Sequence, residues 1–166
     1  VAAPQLLVVD RGRPRTSRAL LRRVVAATLA FAKRSDLAVS LLLTDDREIA
    51  QLHAEFLQDA TPTDVISFAL DDTAELVVSV ETAAREAAAG GHALAAEVAL
   101  YVVHGLLHVC GYDDLRVRDR ARMRAAEQAV LQQLQLQVAP VDEPTSRQAA
   151  AKRRQSRASS RLRMRD

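Results

Sequence analysis

The stretch from Leu94 to Asp114 constrains this chain more than any other. Leu100-Tyr101-Val102-Val103 and Leu106-Leu107 make it apolar, and the pattern predicts a helix from about Leu94 to Cys110. That helix carries His104 and His108, four residues apart. Four residues is close to one turn, so both imidazoles leave the same face. Half-buried imidazoles on an apolar helix need polar partners. Either neighbouring protein groups satisfy them, or they reach one metal ion together. Gly111 stands where the helix should stop, because glycine takes the left-handed conformation cheaply. The chain can then double back and offer Asp114 or Asp113 as a third ligand. Three protein ligands leave a fourth position open for water, the arrangement of a catalytic zinc.

The metal reading therefore takes His104, His108 and Asp114 as ligands of one zinc ion per chain. Two histidines and one carboxylate also suit iron, nickel or cobalt. Asp113 is the fallback ligand, a group that holds an imidazole N–H, or the candidate catalytic base. A structural zinc would need a fourth ligand, often cysteine, and the chain has a single cysteine, Cys110. Cys110 reads as a small core residue beside the site.

The remaining sequence supplies one domain and a tail. Its 166 residues fit a single domain, residues 1–139, followed by a basic, disordered tail over 140–166. Hydrophobic residues make up 49% of the chain and aromatics 3%, so Leu, Val, Ile and Ala pack the core. The net charge of +2 hides a split. Residues 144–166 hold eight basic side chains and one acid, or +7, while the other 143 residues hold 15 and 20, or −5. After Pro140 and Pro144 the sequence is Arg, Ser, Ala and Gln, too poor in apolar residues to offset the entropy of ordering. Lys152, Arg153, Arg154 and Arg157 make that tail a candidate RNA contact; the alternative is a variable, solubilising extension. No apolar run reaches the roughly 20 residues needed to cross a bilayer. The first residues lack the pattern of a secretory signal, and Val1 in place of Met points to a processed or trimmed start. One cysteine has no disulfide partner within the chain, so the expected compartment is a reducing cytoplasm.

Periodicity predicts the other elements. Gln5 to Asp10 and Leu37 to Leu43 read as strands. Between them Thr16 or Ser17 caps a helix whose apolar face runs through Leu21, Val24, Val25 and Leu29. Arg18, Arg22 and Arg23 lie mainly off that face, as a solvated surface or, alternatively, as a contact for an RNA backbone. Thr44 or Asp45 caps a helix from Asp46 to Leu57. Strands follow at Asp64–Ala69 and Glu75–Val80, joined by a hairpin-like connection over Leu70–Ala74. A helix from Glu81 to Ala89 stops at Gly90-Gly91, and a last helix runs from about Leu115 to Leu136. Strands and helices mix without a strict βαβ repeat, which predicts an α+β domain with helices packed on a small four-stranded mixed sheet.

Spacing alone also resembles the metzincin zinc proteases, His-x-x-x-His-x-x-Gly-x-x-ligand. Their general base, a Glu directly after the first His, is here Gly105, which disfavours a protease. The residues themselves resemble the YbeY family of bacterial rRNA-processing endoribonucleases, whose signature reads His-Gly-x-Leu-His-Leu-x-Gly-Tyr-Asp-His. Pro62-Thr63-Asp64-Val65-Ile66-Ser67-Phe68, Glu75-Leu76-Val77-Val78-Ser79 with Glu81-Thr82-Ala83, and the lead-in Glu97 to Val103 also resemble that family, in order, from about Leu37 to Leu131. Three departures stand out. Asp114 replaces the usual third histidine, Leu57 falls where arginine is common, and His53 falls where asparagine is common.

The resemblance implies a single-strand-specific, zinc-dependent endoribonuclease. It implies action on rRNA and the small ribosomal subunit, in 16S rRNA 3′-end maturation and late ribosome quality control. It places Thr63, Asp64, Ser67 and Phe68 on a wall beside the metal cleft; as bare residues, Thr63 and Asp64 equally suit a turn into a strand. Water activated by the metal and the RNA 2′-hydroxyl remain rival nucleophiles. Two other readings are a ribosome-associated RNA-binding protein with a structural metal, and a metal hydrolase of another substrate such as peptide. With few aromatics, recognition should lean on phosphate contacts and respond strongly to salt.

Overall fold

The computed structural model describes residues 3–57 and 63–140. The elements run β1 (Leu6–Asp10), α1 (Arg18–Phe31), β2 (Ala38–Thr44), α2 (Asp46–Leu57), β3 (Val65–Leu70), β4 (Thr73–Ser79), α3 (Val80–Gly90), α4 (Leu94–Val109) and α5 (Val117–Gln133). The four strands form one mixed sheet in the order β1-β2-β4-β3. β1 and β2 pair in parallel, as do β2 and β4, and β3 returns antiparallel to β4. The fold is thus the expected α+β arrangement of helices on a four-stranded mixed sheet.

Local chemistry sets the element ends. Ser17 caps α1 by accepting from the Leu20 N–H at 3.3 Å. Asp45 does the same for α2, with the Glu48 N–H at 2.8 Å. The β3–β4 connection is tighter than the sequence predicts. The ladder continues to Leu70 opposite Thr73, because Asp71 adopts φ +50° and the reversal needs only two residues. β4 stops at Ser79, one residue early, because Ser79 accepts from the Thr82 N–H at 3.2 Å and starts α3.

Alternation divides the sheet into two faces. Val39, Leu41 and Leu43 of β2 and Ala74, Leu76 and Val78 of β4 point into one core with Leu21, Val24, Val25 and Leu29 of α1. Val98, Val102, Val103, Leu106 and Leu107 of α4 and Met123 and Val130 of α5 complete it. α4 touches α1, α3, α5, β3 and β4, and ten of its 16 residues are buried. No single helix among the described residues is long and apolar enough to cross a membrane. The apolar character of α4 is that of a central core helix.

Gly105 explains how closely α4 lies on the sheet. A Cβ there would meet the Leu76 side chain at 3.0 Å and Val65 at 3.2 Å. After α5 the chain runs back to the α3–α4 corner, where the Ala139 N–H donates to His92 Nδ1 at 3.1 Å. That leaves the His92 Nε2–H to donate to the buried Glu97 carboxylate.

One polar knot ties α2 to α3. Asp46 accepts from Ser79 Oγ at 2.5 Å, Thr82 Oγ1 at 2.7 Å and Arg85 Nη1 at 2.7 Å. Burial would raise the Asp46 pKa, but hydrogen bonds from Arg85, Ser79 and Thr82 outweigh it and hold the carboxyl below its ordinary value of 3.8. A depressed folded-state pKa contributes stability above the unfolded value, lost as pH falls through the folded one. Asp46→Ala should therefore cost about 1–3 kcal/mol at pH 7. Its stability should also fall less steeply than wild type below about pH 4, as urea titrations across pH would measure.

Candidate metal centre

The centre is built on the last turns of α4 and the turn that ends it. Gly111 adopts φ +99°, a conformation costly for any residue with a Cβ. The Gly111 N–H donates to the His108 carbonyl at 3.1 Å, and the Tyr112 N–H to the Leu107 carbonyl at 2.9 Å. This pair of bonds is a Schellman motif, which satisfies the last helical carbonyls and reverses the chain. The reversal returns Asp114 to the face of His104 and His108. Asp113 fixes the returning loop, its Oδ1 accepting from the Asp114 N–H at 2.7 Å and the Leu115 N–H at 3.2 Å.

Three ligand atoms converge there. His104 Nε2 and His108 Nε2 lie 3.0 Å apart. Asp114 Oδ2 is 3.8 Å from the first and 3.6 Å from the second. Ligands about 2.0–2.2 Å from a tetrahedral zinc lie about 3.4 Å from one another, close to these separations. The group is able to hold a metal ion.

Hydrogen bonds on the far side of each ring decide the proton positions. His108 Nδ1 lies 3.0 Å from the Tyr112 carbonyl oxygen, which only accepts, so Nδ1 carries the proton. His104 Nδ1 lies 2.5 Å from Glu127 Oε1 and donates to that carboxylate. In the neutral rings both Nε2 atoms are then bare lone pairs, and both face a buried carboxylate. Three acceptors meeting at one point is the chemistry of a cation site. The donor set therefore fits a metal ion. Of the three side chains His108 is the most exposed, at 29% against 16% for His104 and 8% for Asp114.

Other sequence-predicted residues are placed differently. Asp113 is exposed and outside the cluster, and the imidazole N–H groups it was a candidate to hold are held by Glu127 and Tyr112. Cys110 caps α4 outside the cluster, and burial pushes its thiol pKa up, away from the thiolate a ligand requires. Thr63 Oγ1 donates to Asp64 Oδ1 at 3.2 Å, and Asp64 Oδ1 accepts from the Val65 N–H at 2.8 Å, so this pair shapes the entry to β3. Ser67 pairs with Leu76 and shares the sheet face that meets α4. Phe68 is half-buried, and its ring lies 5.9 Å from that of the exposed Phe56. Pro62, Lys152, Arg153, Arg154 and Arg157 lie outside the described residues.

Glu127 is the site residue that sequence reasoning missed. It borders the buried stripe of α5 formed by Met123, Ala126, Val130 and Leu131. A carboxylate on the margin of an apolar stripe needs a partner, and that was the available signal.

The family model for endoribonuclease YbeY matches residues 11–135. The chain belongs to the YbeY family. The endoribonuclease YbeY of Heliobacterium modesticaldum is 41% identical over 120 residues, covering 61% of this chain and 72% of that protein. That of Anaeromyxobacter sp. is 38% identical over 125 residues, covering 71% and 65%. The solution structure of TM1509 from Thermotoga maritima shares the fold, with a TM-score of 0.57 at 22% identity over 79% of this chain and 92% of that one.

Removing the Glu127 carboxylate should loosen the metal without unfolding the domain. Glu127→Gln is expected to weaken zinc affinity about 10–100-fold, the usual cost of losing a group that orients a ligating histidine. Competition against a chromophoric chelator measures it.

Proposed function

We propose that this protein is a single-strand-specific, zinc-dependent endoribonuclease that acts on small-subunit rRNA, in 16S 3′-end maturation and late ribosome quality control. Membership of a family whose matched relatives are named endoribonucleases supports the reaction class. The observation that carries the reading is the convergence of three acceptors, two imidazole nitrogens and one carboxylate, at one point beside the partly exposed His108.

His104, His108 and Asp114 would hold the ion. When bound, zinc in such a site lowers the pKa of water and offsets negative charge on a phosphoryl oxygen. The chain's own residues do the positioning. Glu127 and the Tyr112 carbonyl fix ring orientation and keep the protons on Nδ1. Asp114 adds a negative charge that a third histidine would not. Asp113, exposed and next in the chain to Asp114, is the candidate carboxylate to take a proton from the nucleophile; bulk water is the alternative acceptor. Thr63, Asp64 and Ser67 are the proposed substrate wall, and Lys152, Arg153, Arg154 and Arg157 the proposed RNA-contacting tail. The partners on this reading are rRNA and the small ribosomal subunit, in the cytoplasm.

Gly105 adds an argument against peptide hydrolysis. A metzincin-like glutamate at this position would face Leu76 and Val65 of the sheet rather than the metal.

The test measures metal content, RNA cleavage and thermal stability together on wild type, His104→Ala and Asp114→Ala. Wild type should carry about one zinc per chain and cut single-stranded RNA in preference to duplex. Both variants should lose metal and cleavage while remaining folded. Cleavage that survives loss of the metal would remove the ion from the reaction. Loss of stability with cleavage spared would assign the ion a structural role.

A further inference from the structure

The start of α5 carries a concentration of positive charge that the metal centre does not use. Residues 1–143 are acidic overall, at −5, yet residues 116–124 hold five arginines and one acid, or +4. Arg116, Arg118, Arg122 and Arg124 are exposed and Arg120 is half-buried. Elsewhere in the described residues Arg11, Arg34 and Arg85 pair with carboxylates, while Arg13, Arg15, Arg18, Arg22, Arg23 and Arg47 form no ion pair there, so it is the density of charge that sets this segment apart. None of the five arginines of this segment does so among the described residues. Unpaired guanidinium groups gathered on an acidic body call for an anionic partner.

Placement narrows the partner. Arg116, Arg120 and Arg124 recur every four residues and share one edge of the helix. Glu127, which holds His104, continues that edge about 10 Å beyond Arg120. Arg120 Nη1 donates to the Leu115 carbonyl at 3.2 Å, over the loop that carries Asp114. On the other flank the Arg122 guanidinium lies 5.0 Å from the centre of the Tyr112 ring, and the Tyr112 carbonyl holds His108. The charge thus begins at the two groups that orient the metal ligands and extends outward. Guanidinium groups pair with phosphate in a fork, and a stacked guanidinium and phenol ring offer a flat surface to a nucleobase.

We infer that the arginine-bearing start of α5 is an RNA-binding surface, with Arg116, Arg120 and Arg124 contacting the phosphates of a single strand that leads to the metal centre. The inference rests on the nuclease reading for the choice of RNA as partner. It assigns binding to these residues and leaves the chemistry to the metal centre.

The experiment is a salt titration of binding, with a fluorescent single-stranded oligoribonucleotide of about 20 nucleotides and the full chain. Each phosphate contact to a single strand contributes about 0.7 to the slope of log affinity against log salt. The Arg116→Gln/Arg120→Gln/Arg124→Gln variant should bind more weakly, with a slope shallower by about 2. Arg116→Gln/Arg124→Gln, which keeps the Arg120 contact to the loop, should be shallower by about 1.4. Arg18→Gln/Arg22→Gln/Arg23→Gln removes as much exposed charge from α1 and should leave the slope within about 0.5 of wild type. An unchanged slope in both α5 variants overturns the inference. So does an equal loss in the α1 variant, which would mean bulk charge. Retention of an acidic protein partner by wild type, lost in the α5 variants whose RNA slope is unchanged, would overturn it in favour of a protein interface. The two readings fail separately. Binding that depends on α5 in a protein that cuts no RNA sinks the nuclease reading alone. Cleavage by a protein whose α5 variants bind normally sinks the surface alone.

Discussion

A helix with little room for water on its circumference must be enclosed, and α4 is such a helix. α1, α3, α5, β3 and β4 all meet it. Val98, Val102, Val103, Leu106 and Leu107 each release about 1.5–3 kcal/mol on leaving water, which draws the sheet and helices around α4. His104 and His108 share this helix, so the same burial that forms the core carries two imidazoles to its margin. Polar groups so placed must be satisfied, and the fold supplies Glu127 and the Tyr112 carbonyl. Core packing and ligand orientation therefore have one origin.

Two glycines set the positions of what surrounds the helix. Gly105 lets α4 settle onto Leu76 and Val65 at a distance that a side chain would increase. Gly111 allows the reversal that returns Asp114, and no neighbour lies within 4 Å of where its Cβ would be, so its requirement is conformational and not steric. One glycine is demanded by space and the other by the backbone.

Much of this was legible in the sequence, for identifiable reasons. The helix, its histidine pair and its glycine stop are local features, with a period or a conformational preference that a single segment reveals. The Asp114 loop was legible because it follows at a fixed short distance. Long-range consequences were not. Glu127 lies 23 residues from His104, and only the packing of α5 on α4 brings them together. The reason for Gly105 lies in two strands read as separate segments. The sequence predicted a longer connection between β3 and β4, because Asp71 and Asp72 do not advertise a left-handed turn as Asn-Gly would. Asp46 was read only as a helix start, and its bonds to Ser79, Thr82 and Arg85 cross more than 30 positions of chain.

Protein groups hold the ligand rings and the Asp114 loop, through Glu127, the Tyr112 carbonyl and Asp113. In a zinc finger the ion assembles the domain, and chelation unfolds it. Here the rings and the loop are held by protein groups, and the core is closed by apolar contacts that no ligand takes part in. Chelation should therefore empty this site and leave the domain folded.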